Sequence, residues 1–285
     1  MPTSDRFNGS TQLYGVIGWP LSQSLSPLLH NTAFSTLGMS ALYQRWEIPP
    51  EALSLFVQSM RLLHIKGCSV TIPHKTHLEP LLDTVTQTAR QAGAVNTIFW
   101  HEGRLCGDNT DVTGFMAALQ RENLAGVSVL LLGAGGAARA AAAGLTALPQ
   151  AQRPAVVYVC TPSNTSHLPL AEMFGLTPLP WEDRHKLPVH LVINATPLGM
   201  RGKAEDATPF DFSLTPPLPS GESLAYDIVY NPLETRFLRE AQAAGRRCIS
   251  GLEMFIGQGN AQFSLWTGRA LPAEAREALL ASLLR

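Results

Sequence analysis

The chain has 285 residues, of which 45% are hydrophobic and 15% charged, and its formal net charge is -1. That balance excludes a disordered chain, and near-neutrality excludes the basic footprint that nucleic acid or an anionic membrane surface would call for. The length suits one large or two ordinary domains with ample core.

In chain order, residues 13–18 form a short apolar run ending in Gly-Trp-Pro, read as a buried strand entering a loop. A helix should start at Pro27, with Ser26 as its N-cap, and end near Gly38. A strand over 43–48, a helix over 51–63 and a β-branched strand over 69–72 follow. Residues 95–100 and 104–106, separated by Glu102-Gly103, read as a hairpin. A helical pattern over 112–123 leads to the almost wholly apolar run 127–132, whose two faces must both be covered, as in a parallel sheet flanked by helices. The glycine-rich turn Gly133-Ala134-Gly135-Gly136-Ala137, an alanine-rich helix to about 148 and a strand over 156–160 complete a βαβ unit. Residues 191–195 and 224–229 extend that sheet, and two helices, 253–267 and 272–284, close the chain. The first of these is expected to return to the N-terminal domain, because Gln258 must reach the pocket opened by Ser24. The four cysteines, Cys68, Cys106, Cys160 and Cys248, form no Cys-x-x-Cys pair, which fits buried thiols of a reducing compartment. Residues 1–11 are polar, with no leader-like apolar core, and no apolar run approaches the ~20 residues of a membrane span. A cytoplasmic protein that engages no membrane is therefore expected.

The glycine-rich turn suits a dinucleotide pyrophosphate: residues without Cβ let the backbone approach closely, and the helix behind it offers free N–H groups. Its pattern is Gly-x-Gly-Gly, with Ala138 where a third glycine would permit close helix packing. Lys75 and Asp111 are the candidate proton-handling pair. A carboxylate favours the lysine ammonium, which can protonate an oxyanion as a ketone accepts hydride, and the reverse oxidation should then run faster at alkaline pH. An ordinary surface ion pair is the plain alternative. Ser24, Ser26, Thr71, Asn96, Tyr230 and Gln258 offer hydroxyls and amides suited to a ligand with several hydroxyls and one carboxylate. Singly, each has another reading: helix cap for Ser26, turn residue for Asn96, half-buried packing for Tyr230 and Gln258. His74 and His77 lie three apart, but no third ligand at metal-site spacing accompanies them and Lys75 would repel a cation, so no metal is expected.

The motifs together resemble those of the shikimate dehydrogenases over nearly the whole chain. They are Gly18-Trp19-Pro20 through Ser24-Leu25-Ser26-Pro27 to His30-Asn31, Ser69-Val70-Thr71-Ile72-Pro73-His74-Lys75, Gly93-Ala94-Val95-Asn96-Thr97, Gly107-Asp108-Asn109-Thr110-Asp111, Asn194-Ala195-Thr196-Pro197-Leu198-Gly199-Met200, and Asp227 through Tyr230-Asn231-Pro232 to Thr235. The resemblance implies an α/β protein of two domains. One is a substrate-binding and catalytic domain over 1–111, completed by 252–285; the other, over 112–251, is a Rossmann-type parallel-sheet domain for NADP. Ser24, Ser26 and Tyr230 would hold the carboxylate of shikimate or 3-dehydroshikimate; Thr71, Asn96, Asp111 and Gln258 its ring hydroxyls; Lys75 would be the acid/base beside Asp111. Gly133, Ala134, Gly135, Gly136 and Ala137 would cradle the pyrophosphate, with Thr196 to Met200 and Ile228 near the ribose and nicotinamide and Gly251 lining the same cleft. A monomer or homodimer in aromatic amino-acid biosynthesis is implied.

Two departures stand out. Ser69 replaces the asparagine of many family members. The loop after the second Rossmann strand, usually Asn-Arg-Thr with its arginine on the NADP 2′-phosphate, reads Cys160-Thr161-Pro162-Ser163-Asn164, so the guanidinium is missing. No acidic residue that would select NAD stands there either. Thr161 and Ser163 could bond a phosphate with little charge selection, so NADP is expected with weakened discrimination and NAD is not excluded. Within the family, quinate or aminoshikimate are alternative substrates; outside enzymes, a ligand-sensing homologue without turnover would keep the fold, though the intact Lys75 and Asp111 weigh against it.

Overall fold

The first apolar run forms strand β1 (Gln12–Gly18), buried over its last five residues. In the computed structural model, which describes residues 8–21, 24–218 and 222–284, β1 is followed by α1 (Ser26–Thr36), β2 (Ala41–Glu47), α2 (Leu53–Leu62) and β3 (Gly67–Val70). Next come β4 (Thr84–Val85), α3 (Gln87–Ala92), β5 (Thr97–His101) and β6 (Arg104–Asp108). These strands make a mixed sheet in the order β2-β1-β3-β5-β6-β4, parallel around β1 and antiparallel through β3, β5 and β6. The β5–β6 hairpin turns on Glu102 (φ 49°) and Gly103 (φ 75°), the left-handed pair that a two-residue hairpin needs. Ile17, Val57, Met60, Cys68, Leu78, Ile98 and Leu105 form the core on this sheet.

The second sheet is wholly parallel. α4 (Thr110–Leu119) precedes β7 (Ser128–Leu132), α5 (Gly136–Ala147), β8 (Val156–Cys160), α6 (Leu168–Phe174), β9 (Thr177–Pro178), β10 (Leu191–Asn194), β11 (Leu224–Asp227), α7 (Arg236–Ala243) and β12 (Arg247–Ile249). Counted from β7, the order β9-β8-β7-β10-β11-β12 is the 3-2-1-4-5-6 of a doubly wound dinucleotide fold. Alternate residues of β7 explain its apolar run: Val129 and Leu131 face one core with Ala138, Ala141 and Phe115, whereas Leu130 and Leu132 face another with Phe210, Phe237 and Ala241. Both faces are covered, as the pattern required.

α8 (Gly251–Thr267) and α9 (Ala273–Leu283) end the chain. The chain clusters into two units, Met1–Thr110 with Gln258–Arg285, and Asp111–Gly257. Asp111 and the first two turns of α8 thus group with the second unit, where the sequence reading placed them in the first. The packing gives the reason: a Cβ on Gly257 would stand 3.0 Å from Gly114 Cα, so two glycines let α8 lie close on α4. Further along, Trp266 belongs to the first unit. Its indole nitrogen donates to Ile98 O (3.0 Å), and it fills the space where Gly67 lacks a side chain.

Three local expectations need correction. The N-cap of α1 is Leu25, not Ser26; no side chain caps this helix, and Ser26 is buried in its first turn, its N–H donating to Ser24 Oγ (3.3 Å). β3 stops at Val70, so Thr71 lies in the turn beyond the strand. Cys68, Cys106 and Cys160 are buried, but Cys248 on the last strand of the second sheet is exposed. Among the described residues, no helix is long and apolar enough to cross a membrane.

Candidate active site

In the first unit the candidate residues converge on the loops that follow β1 and β3. Thr71 N donates to Ile17 O (2.9 Å) and Thr71 O accepts from His74 N (3.0 Å), which folds the chain into the short 3-10 turn His74–Thr76 carrying Lys75. The Lys75 carbonyl accepts from Val95 N (2.7 Å) and the Asn96 carbonyl from Val70 N (2.7 Å). Thr71, Lys75 and Asn96 are therefore held by one set of backbone bonds. His74 points into the fold, its Nε2 2.8 Å from Ile48 O, and burial lowers its pKa; this is a structural imidazole.

Asn96 is 2% exposed. Its Oδ1 accepts from Thr110 N (2.7 Å), Thr97 Oγ1 (2.8 Å) and Thr110 Oγ1 (3.1 Å). Asn109 Nδ2 donates to Ala94 O (2.9 Å), and Thr86 Oγ1 donates to the Asp108 carboxylate, so the run from Asp108 to Thr110 braces the Asn96 turn. Ser24, at the mouth of α1, and the buried Gln258 belong to the same unit. No role was read from the sequence for Thr97, Thr110, Gln262 or the fully buried His30, although Thr97, Thr110 and His30 stand inside its motifs. Burial of polar groups was the missing signal.

Asp111, at the start of α4, and Tyr230 lie in the second unit. Tyr230 stacks on Phe255, centroids 4.4 Å apart. Within the same unit, Gly251 opens α8 where a Cβ would come within 2.2 Å of Ile228 O, so only glycine brings the helix start onto that strand end.

The residues after β7 fit a dinucleotide. Gly133 has φ 114°, and a Cβ there would lie 2.9 Å from Ala195 O, at the point between β7 and β10 where the strand order reverses. Gly135 is exposed with nothing within 4 Å of where its Cβ would be, and α5 starts there with no side-chain cap, leaving its first N–H groups for a ligand. Gly133→Ala is expected to cost on the order of 1–3 kcal/mol in stability, read by thermal unfolding, and to weaken dinucleotide binding in titrations.

Beside this cradle, Thr196 Oγ1 donates to Asn194 Oδ1 (2.7 Å), and Asn194 Nδ2 donates to Asp227 Oδ1 (2.9 Å). Asp227 also accepts from Val229 N (3.0 Å) and Thr235 Oγ1, yet burial raises its pKa to about 7. This buried web holds the loop from Thr196 to Met200 at the strand ends.

The loop after β8 differs from what its hydroxyls promised. Thr161 Oγ1 lies 3.0 Å from His167 Nδ1 and accepts from Ser166 Oγ (3.0 Å), while Ser163 Oγ accepts from Ser166 N (3.0 Å). These groups build their own turn. His167 is buried, which lowers its pKa, and the Glu182 carboxylate accepts from Asn164 Nδ2 in this loop (3.1 Å).

Family models match residues 16–98 as the shikimate dehydrogenase substrate binding domain and 251–280 as the shikimate 5′-dehydrogenase C-terminal domain. A protein of Pelobacter propionicus named shikimate dehydrogenase (NADP(+)) is 50% identical over 273 residues, covering 95% of this chain and 96% of its own. The chain belongs to the shikimate dehydrogenase family. Solved relatives share the fold. The shikimate 5-dehydrogenase of Thermus thermophilus, in complex with NADP(H) and shikimate, is 38% identical with a TM-score of 0.82 and covers 95% of this chain and 100% of its own. That of Listeria monocytogenes, in complex with shikimate and NAD, is 28% identical with a TM-score of 0.83, covering 96% and 98%. Family membership accounts for the doubly wound order of the second sheet and for the dense motif run from Ser69 to Asp111.

Proposed function

We propose that this chain is an NADP-dependent shikimate dehydrogenase, interconverting 3-dehydroshikimate and shikimate. The observation that carries the reading is the backbone-tied cluster of Thr71, Lys75 and Asn96 in one unit, in a chain whose other unit presents a glycine cradle at a strand-order reversal. The bound nicotinamide supplies the hydride in reduction and takes it in oxidation. Lys75 gives its proton to the ketone oxygen as the C–H bond forms, and recovers a proton from the C3 hydroxyl in reverse. In the first unit Ser24 and Ser26 hold the carboxylate, and Thr71, Asn96 and Gln258 hold the hydroxyls. Gly133 to Ala137 hold the pyrophosphate, and Thr196, Met200, Ile228 and Gly251 the nicotinamide side.

Steady-state oxidation of shikimate and of quinate, each with NADP and NAD, tests this; a tenfold preference for quinate overturns the substrate. The self-satisfied loop at Thr161 limits the preference for NADP over NAD to a modest margin. Pro162→Arg, which puts a guanidinium on that exposed turn, is expected to raise the ratio of kcat/KM for NADP over NAD about tenfold, the size of a charge-assisted hydrogen bond.

A further inference from the structure

We propose that Gln262 is a positioning residue for Asn96. Through Thr97 it fixes the Asn96 amide so that only its NH2 group faces the ligand, and it thereby selects a hydroxyl or keto oxygen over an ammonium. The inference rests on the reading of Asn96 as a ligand of the substrate's ring oxygens.

A backbone N–H can only donate, so the Asn96 side-chain atom 2.7 Å from Thr110 N is the oxygen. Nδ2 is left over for a ligand and makes no hydrogen bond among the described residues. The hydroxyls of Thr97 and Thr110 hold this orientation only while their protons point at Oδ1, and a hydroxyl rotates freely. Gln262 removes that freedom. Its Nε2 donates to Thr97 Oγ1 (3.1 Å), which turns the Thr97 proton toward Asn96 Oδ1 (2.8 Å) or the Thr110 hydroxyl (2.9 Å).

The Gln262 amide is itself set from the other end, where Tyr43 Oη donates to Ser69 Oγ (2.7 Å) and Ser69 Oγ to Gln262 Oε1 (2.9 Å). One proton direction therefore runs from Tyr43 through Ser69, Gln262 and Thr97 to Asn96, with all five residues buried. The serine at position 69, a departure in the sequence, is the group that orients Gln262. An NH2 donor facing the ligand requires a lone pair opposite, which a hydroxyl or ketone oxygen has and an ammonium lacks.

Asn96→Ala provides the reference and should raise the shikimate KM about tenfold; an unchanged KM removes Asn96 from the substrate and the basis of this proposal with it. Given that rise, Gln262→Glu, of the same shape but accepting at both oxygens, draws the Thr97 proton away and is expected to raise the shikimate KM about 3–10-fold. The NADP KM should stay within about twofold, since that ligand is held by other residues. Thr97→Val should reproduce the effect and Thr97→Ser restore it. In the Asn96→Ala/Gln262→Glu double variant the KM should equal that of Asn96→Ala alone, a coupling that loosened packing would not produce. An unchanged KM in folded Gln262→Glu overturns the proposal, as does a parallel rise for NADP or additivity in the double variant. Should Gln262→Glu not fold, an unchanged shikimate KM in Thr97→Val overturns it equally.

Discussion

Lys75→Met is expected to lower kcat for shikimate oxidation by about 10²–10⁴-fold, the range for loss of a positioned acid/base, with both KM values changed far less. In the proposed mechanism the side chain acts on the bond being made, so its loss falls on the transition state and not on ground-state binding. Folding should survive the change. The bond that ties the His74–Thr76 turn into the fold is made by the Lys75 carbonyl to Val95 N at 2.7 Å, and methionine keeps it along with most of the side-chain volume. Stopped-flow absorbance at the nicotinamide band reads the rates of both enzymes. A Lys75→Met enzyme within about threefold of the parent, well short of an acid/base effect, would assign the proton to another group.

Periodicity and turn chemistry carried most of the fold. The run over 127–132 announced a strand covered on both faces, and alternate burial of Val129 to Leu132 is that cover. Glu102-Gly103 announced its hairpin because few residue pairs accept two left-handed positions. The start of α1 was misread because Ser26-Pro27 has the composition of a cap, and the serine was drawn inside by burial instead. The division of α8 between units could not be read from its residues singly, because it depends on Gly257 meeting Gly114, a pair 143 positions apart in sequence and adjacent only after folding. The same holds for the polar interior. Asn96 was visible as a motif residue, whereas Gln262 and Ser69 acquire meaning only once 193 positions of chain bring them within a hydrogen bond. At Thr161 the composition misled in the opposite sense, since hydroxyls that looked available to a phosphate are committed to their own turn.

The first unit should lose stability in acid in part because of His30, and His30→Phe should remove that share of the loss. His30 is wholly buried, stacked on Tyr43 with centroids 4.6 Å apart and packed near Phe263 and Trp266, and neither ring nitrogen has a hydrogen bond in good geometry. Burial lowers its pKa from 6.5 to about 3; the Gln262 amide opposes the shift and does not offset it. Below pH 6.5 the unfolded chain therefore binds a proton that the folded chain refuses. Stability consequently falls as pH drops from about 6.5 toward 3, at up to about 1.4 kcal/mol per pH unit. Asp227 in the second unit works in the opposite sense. Its pKa is raised to about 7, so between the ordinary carboxylate range and pH 7 the folded state holds the extra proton and stability falls as pH rises. Comparing the parent with His30→Phe cancels the Asp227 contribution and isolates the imidazole. Phenylalanine keeps the stack and removes two buried nitrogens without a hydrogen bond in good geometry, so the variant should equal or exceed the parent at pH 7 and gain about 2 kcal/mol on it by pH 5. Denaturant unfolding of both proteins at the two pH values makes the comparison; a difference that does not grow on acidification would mean that His30 finds a partner for its charge inside the fold.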